Sequence, residues 1–367
     1  MKIICSKSNL TEAVGIVQKA VSSRSPSPVL ECILFDCEDS VRLIGNNLDS
    51  SIEYCLDAQV IDKGKILVPA KLFGELIRSL DDDDVLIETD DNMNLRIMCR
   101  NSKFSVSGLN PSDFPVPETI QKSETPDFEI AQTLLRDMIR QTIFSTAVND
   151  SRLVLTGSLF NLEDGHFQIV AVDGFRLALR REAVESDKTF SVIIPAKAQN
   201  ELLSILNEKE ETLFIKATEE KTAFFFENYT LITKNIITEY INYKQTFPQT
   251  RDLVVSCALN DLSRAIKRAV PLISADTLKS PIKLHFRDDA VEVFCTTTQG
   301  NLKDEIAVSM DGSELEIGFN HRFLLEALDA IPAEEIEMVF NSPTTPCQIT
   351  TKDSDRFNYV IFPVRLR

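Results

Sequence analysis

Apolar residues recur along this chain in two alternating rhythms. In residues 6–24, 69–80, 130–146, 195–206, 259–272 and 319–330 they fall three and four positions apart, as at Leu10, Val14, Val17 and Val21 or at Leu135, Met138, Ile139 and Ile143. That spacing predicts six helices, each with one face meant for a core. Elsewhere short runs rich in Val, Ile and Phe are cut by turn residues. VLIETD, NLRIMCR and KFSVSG are parted by Asp90, Asp91 and Asn92 and then by Asn101 and Ser102. TLFIKA, AFFFEN and TLITKN form a second such group, and EIEMVF, CQITT and NYVIFPV a third. Strands this closely spaced join by hairpins, so the sheets are predicted antiparallel.

The rhythm itself repeats. Residues 68–80, VPAKLFGELIRSL, and 194–206, IPAKAQNELLSIL, share a Pro-Ala-Lys helix start, and 317–331, IGFNHRFLLEALDAI, stands in the third place. A second helix follows a short strand early in each unit: SNLTEAVGIVQKAV, AQTLLRDMIRQTIF and ALNDLSRAIKRAV. The offsets are about a third of the chain, the size of an ordinary domain. Three similar α+β domains are expected, over 1–122, 126–249 and 251–367, with polar, Pro-containing connections near Ser123–Pro126 and Gln249–Arg251.

Composition fits a packed protein, with 43% hydrophobic and 26% charged residues. No run is apolar enough to span a bilayer and MKIICSKSNL is too short of apolar residues for a secretory signal, so a cytoplasmic protein is expected. The eight cysteines show no CxxC spacing and read as buried free thiols. Asp81–Asp84 reads as a solvated turn, because consecutive side chains diverge, and no metal is assigned. His166, His285 and His321 stand in no triad or zinc pattern, and there is no P-loop or GxGxxG. A nucleotide-using enzyme is therefore not expected.

A net charge of −17 argues against a protein that coats DNA. The charge is segregated, however: the six helical segments together carry +5, leaving −22 for the rest. Arg136 and Arg140 stand one turn apart, and Arg264 and Arg268 repeat them with Lys267 alongside. Arg24, Lys71, Arg78, Lys197 and Arg322 add to the basic faces of the other helices. Basic helix faces meet phosphates without reading bases, so sequence-independent binding of duplex DNA is expected of these ten residues.

VPAKLFGELIRSL, NPSDFP at Asn110–Pro115, AVDGFRLAL at Ala171–Leu179, SVIIPAK at Ser191–Lys197, EIGFNHRFLLEALDAI and FPVRL at Phe362–Leu366 run in an order that resembles the bacterial DNA polymerase III beta subunit, the sliding clamp family. The resemblance covers essentially the whole chain. It implies three repeated domains of the DNA clamp fold, helices lining a central hole, antiparallel sheets outside and a closed ring made by a head-to-tail homodimer. It also implies a non-enzymatic processivity factor, with no catalytic residues and no cofactor, that encircles duplex DNA and tethers the replicative polymerase. Clamp loader, repair polymerases and mismatch-repair proteins would dock through short peptide motifs.

The resemblance places the peptide pocket by position. Its wall would comprise Arg152, Leu155, Val172, Gly174, Phe175, Arg176 and Leu177. Ile241, Thr246, Thr344, Pro346 and Val360 would continue it, with Phe362, Pro363, Val364 and Arg365 at the end of the chain. The dimer contact, between the first domain of one subunit and the third of the other, would include Phe104, Val106, Leu272 and Ile273. One stretch departs from the family pattern: in ITEYINYKQTFP, Thr238, Ile241 and Asn242 stand where a Gly and an aromatic-Pro-Asp-Tyr run are usual. A β-branched Ile241 does not fix φ as proline does, so the rim is expected to differ. Two other readings remain open, an acidic multidomain hydrolase and a diverged clamp paralogue serving as an interaction scaffold.

Overall fold

Residues that alternate in the sequence alternate in space. In the strand Asn94–Cys99, Leu95, Ile97 and Cys99 are buried while Asn94, Arg96 and Met98 face outward, as a pleat of period two requires. The turn before it is set by Asp90, whose Oδ1 accepts the amides of Asn92 and Asn94, both at 2.9 Å. The computed structural model describes residues 1–367 except 119, 121–127, 209, 210, 278, 279, 353, 366 and 367. The expected connection at Ser123–Pro126 lies outside the described residues.

The described α-helices are α1 (Lys7–Val17), α2 (Ala70–Ser79), α3 (Gln132–Arg140), α4 (Ala196–Leu203), α5 (Leu259–Ala275) and α6 (His321–Ala330). All six fall in the expected segments, but their ends differ. The segment 130–146 opens as a strand, Phe128–Ala131, and its helix stops at Arg140. There the Thr142 hydroxyl donates to the carbonyls of Met138 and Ile139, at 2.8 and 3.2 Å, and a 3-10 turn follows at Ile143–Ser145. Conversely, α5 runs past 272, carrying Pro271 inside it. Leu262, Ala265, Ile266, Ala269 and Ile273 line its buried face, and Arg264, Lys267 and Arg268 its exposed one.

Every strand pairing is antiparallel among the described residues. Contacts divide the chain into two compact units, Met1–Leu134 with Lys197–Asn235, and Leu135–Ala196 with Ile236–Arg367. The first holds a five-stranded and an eight-stranded sheet, the second a nine-stranded and a four-stranded one. The units do not follow the sequence repeat, for a reason visible in the pairing. In the first unit Ser50–Leu56 pairs with Tyr229–Lys234, and in the second Arg176–Ala183 pairs with Ser354–Ile361. Sheets thus run on from one repeat into the next, and the strands of the central repeat are shared between the two units. Among the described residues no helix is long and apolar enough to cross a membrane.

Candidate peptide pocket and basic helix faces

All the residues expected at the pocket lie in the second unit. The turn Asp173–Arg176 is built by Asp173, whose Oδ1 accepts the amides of Phe175 and Arg176 at 2.9 and 3.1 Å. Gly174 sits at φ +90°, a conformation that side chains other than glycine seldom adopt. The chain then enters the strand Arg176–Ala183, whose Leu177 stands opposite Val360. Phe362 hangs on the same ladder through its amide, which donates to the Phe175 carbonyl at 3.0 Å.

Floor and lip separate by burial. Leu155, Val172, Leu177 and Val360 are 1%, 5%, 1% and 0% exposed, in one cluster with Tyr243 and with Ile241, Tyr240 and Phe247 packed against it. Phe175, Phe362 and Val364 are 64%, 38% and 40% exposed and form an apolar lip. Arg152 is exposed and paired with Asp150 at 3.1 Å, its guanidinium beside Gly174. Thr344 and Arg365 are exposed, while Pro346, Pro363 and Thr246 are half-buried, and the Thr246 hydroxyl donates to the Tyr243 carbonyl at 2.6 Å.

Arg176 does not face solvent as a wall residue would. It is 4% exposed, and its Nε donates to Asp173 at 3.0 Å. Its other nitrogens meet Glu326 and the Phe144 carbonyl, and the guanidinium lies over the rings of Phe323 and Phe144, 4.4 and 5.2 Å from their centroids. It therefore braces the turn against α6. Asp173, Phe323 and Glu326 were absent from the sequence expectation; only the Asp-Gly turn signature at 173–174 could have pointed to the first. The divergent stretch is held by two tyrosines. The Tyr240 hydroxyl donates to the Val170 carbonyl at 2.9 Å and Tyr243 accepts from Gln168 at 3.0 Å. Burial pushes the pKa of both hydroxyls up, so they stay protonated.

The comparisons with known proteins cover the chain from end to end. Residues 1–118, 129–242 and 244–365 match, in order, the N-terminal, central and C-terminal domains of the DNA polymerase III beta subunit. The chain belongs to this family. A beta sliding clamp of Halalkalibacterium halodurans is 30% identical over all of both chains. Among solved structures, a putative DNA polymerase III beta subunit from Eubacterium rectale is 33% identical with a TM-score of 0.95, over 99% of each chain. The DNA polymerase sliding clamp of Bacillus subtilis is 27% identical with a TM-score of 0.95, over all of both chains. The fold is the three-domain clamp fold with antiparallel sheets, and the hydrolase alternative falls away.

On this clamp-family frame the expected DNA contacts are not all alike. Arg24, Lys71, Arg78, Arg140 and Arg264 are exposed and make no ion pair among the described residues. Lys197 pairs with Asp49 at 3.1 Å, Lys267 with Asp329 at 2.9 Å and Arg322 with Glu326 at 2.9 Å, while Arg268 pairs with Asp304. Arg136 is half-buried and already engaged. A phosphate must compete for the paired cations, whereas the first five are available without that cost. Of the expected dimer residues, Val106 and Ile273 are 6% and 3% exposed, buried in their own cores, and Phe104 and Leu272 are half-buried. Near Asp81–Asp84, Asp83 is paired with Arg100 at 2.6 Å, which holds its carboxyl below the usual range.

Proposed function

We propose that two copies of this chain close into a ring around duplex DNA and hold the replicative polymerase on it. The observation that supports this most is the full-length match to beta sliding clamps, with all three domains in order. The chain is then a processivity factor and not an enzyme, working in the cytoplasm. Exposed cations on α2, α3 and α5, with Arg24, would contact phosphates without base readout. The domains are taken as 1–122, 126–249 and 251–367. The lip of Phe175, Phe362 and Val364 over the Leu177–Val360 floor would receive short apolar motifs of the polymerase, clamp loader and repair proteins.

Few free cations on an acidic protein give weak direct affinity, no better than about 10⁻⁴–10⁻⁶ M at physiological salt. Retention must then come from topology. Loaded by a clamp loader onto nicked circular DNA, the protein is expected to survive a salt wash that strips it from linear duplex, since salt screens phosphate contacts but does not open a ring. Replacing Arg24, Arg140 and Arg264 by Ala should weaken loading without releasing closed rings. Loss from circles and linear DNA at the same salt concentration would show that contact, and not encirclement, holds the protein.

A further inference from the structure

The turn at the lip of the pocket is built a second time, in the first unit. Asn47 Oδ1 accepts the amides of Asp49 and Ser50 at 3.1 and 2.9 Å, as Asp173 does for Phe175 and Arg176. Leu48 takes the place of Gly174, at φ +75° against +90°. The strand leaving each turn pairs alike: Ser50 stands opposite Thr233 as Arg176 does Ile361. The next amide bonds alike too, Lys234 to the Asp49 carbonyl at 2.9 Å and Phe362 to the Phe175 carbonyl at 3.0 Å. This register makes Asp49, Ser51, Ile232 and Lys234 the counterparts of Phe175, Leu177, Val360 and Phe362.

A cavity of about 180 Å³ opens at this second turn, lined by Leu48, Ser51, Val116, Lys221, Ile232 and Lys234 among others. Three features suit it to a ligand. Leu48 and Val116 are 50% and 60% exposed, and Leu48 holds its apolar side chain out from a backbone conformation costly for a branched residue. Its loop is fixed in advance, because Asn46 accepts the Leu48 amide at 2.8 Å and donates to the Pro115 carbonyl at 2.7 Å. Finally, Lys221 is paired with Glu118 and Lys197 with Asp49, at 2.5 and 3.1 Å, while Lys234 makes no ion pair among the described residues. Glu201 also stands at the turn, its Oε1 accepting from Asn47 at 3.1 Å, so Lys197 answers two carboxylates and Lys234 is the exposed cation beside the apolar lip with no ion pair of its own among the described residues.

We propose that this groove is a second docking site, taking a linear segment of a partner protein that lays one apolar side chain on Leu48 and Val116 and a carboxylate on Lys234. The inference rests on the duplicated turn and not on ring closure, so it survives or fails independently of the function proposed above. The room for a single anchor makes the site weaker than the apolar pocket and selective for acidic segments.

The test uses the full chain carrying Phe175→Ala and Phe362→Ala, which disables the other pocket. Fluorescence anisotropy follows a labelled peptide Glu-Leu-Glu-Leu-Gly and its counterpart Lys-Leu-Lys-Leu-Gly. The acidic peptide is expected to bind this double variant, to lose at least about fivefold in affinity with Lys234→Ala and again with Leu48→Gly, and to outcompete the basic one. Leu48→Gly keeps the positive φ, so circular dichroism should show an intact fold. Binding lost in the double variant, unmoved by both groove substitutions, or equal for the basic peptide would overturn the proposal.

Discussion

At the residue scale, burial sorts chemically identical groups into inert and available ones. Seven of the eight cysteines are buried, and Cys55 is exposed, contrary to the expectation that all would be. Its strand, Ser50–Leu56, alternates, and Cys55 falls on the outward side between Tyr54 and Leu56. Burial pushes the thiols of Cys5 and Cys257 up to about 12 and those of Cys32 and Cys37 to about 11, which leaves almost no thiolate at pH 8. Cys55 is also raised, by partial burial and then the Glu53 carboxylate, so it should react more slowly than a free cysteine but still react. In a thiol titration of the native protein at pH 8, one group per chain is expected to respond, and none after Cys55→Ser. Two or more groups reacting together in the native protein would contradict the burial pattern.

At the scale of elements, the periodicities placed nearly everything that burial alone decides. Thr212–Ala217, Glu335–Phe340 and Cys347–Thr351 coincide with the runs read from the sequence, and the basic faces of α3 and α5 point away from Met138 and Ile266 as the spacing requires. What stayed illegible depends on partners far along the chain. Arg176 looked like a wall residue from its motif, but its surroundings come from Phe144, Phe323 and Glu326, up to 150 positions away. Sharing of sheets between repeats was hidden for the same reason, since register across Tyr229–Lys234 and Ser50–Leu56 leaves no local signature. The buried guanidinium predicts a measurable stake. Arg176→Leu takes one donor each from Asp173, Glu326 and the Phe144 carbonyl, but Asp173 keeps the two backbone amides of its turn and Glu326 keeps Arg322, so the loss is expected to be about 1–3 kcal/mol. Denaturant unfolding should show that loss with the slope unchanged, together with weaker peptide binding as the turn loosens. A stability equal to the parent would mean that Arg176 serves ligands directly and does not brace α6.

At the scale of the whole molecule, unpaired strand edges decide what the chain can assemble into. Ser102–Ser107 ends the five-stranded sheet and Gly300–Ala307 ends the four-stranded one, and each offers a row of backbone donors and acceptors. The second edge carries charge, with Lys303 paired to Glu292 at 2.6 Å, which discourages indiscriminate pairing and favours a partner that matches. Phe104 lies in the first edge strand, and Leu272 sits beside the second, its Cδ2 3.6 Å from where a Cβ on Gly300 would stand. If these two edges meet between two copies, the same contact forms twice and the assembly closes with neither of them left unpaired. Light scattering should then report twice the 41.3 kDa of one chain. Because Val106 and Ile273 are already buried within single chains, changing them would test folding, whereas Phe104→Arg and Leu272→Arg place charge at the accessible part of the contact. Each is expected to shift the mass toward one chain and, with it, to abolish salt-resistant retention on nicked circles while the peptide pocket keeps its affinity. A parent protein that stays single at micromolar concentration, or a doubled mass that ignores both substitutions, would place the subunit contact elsewhere.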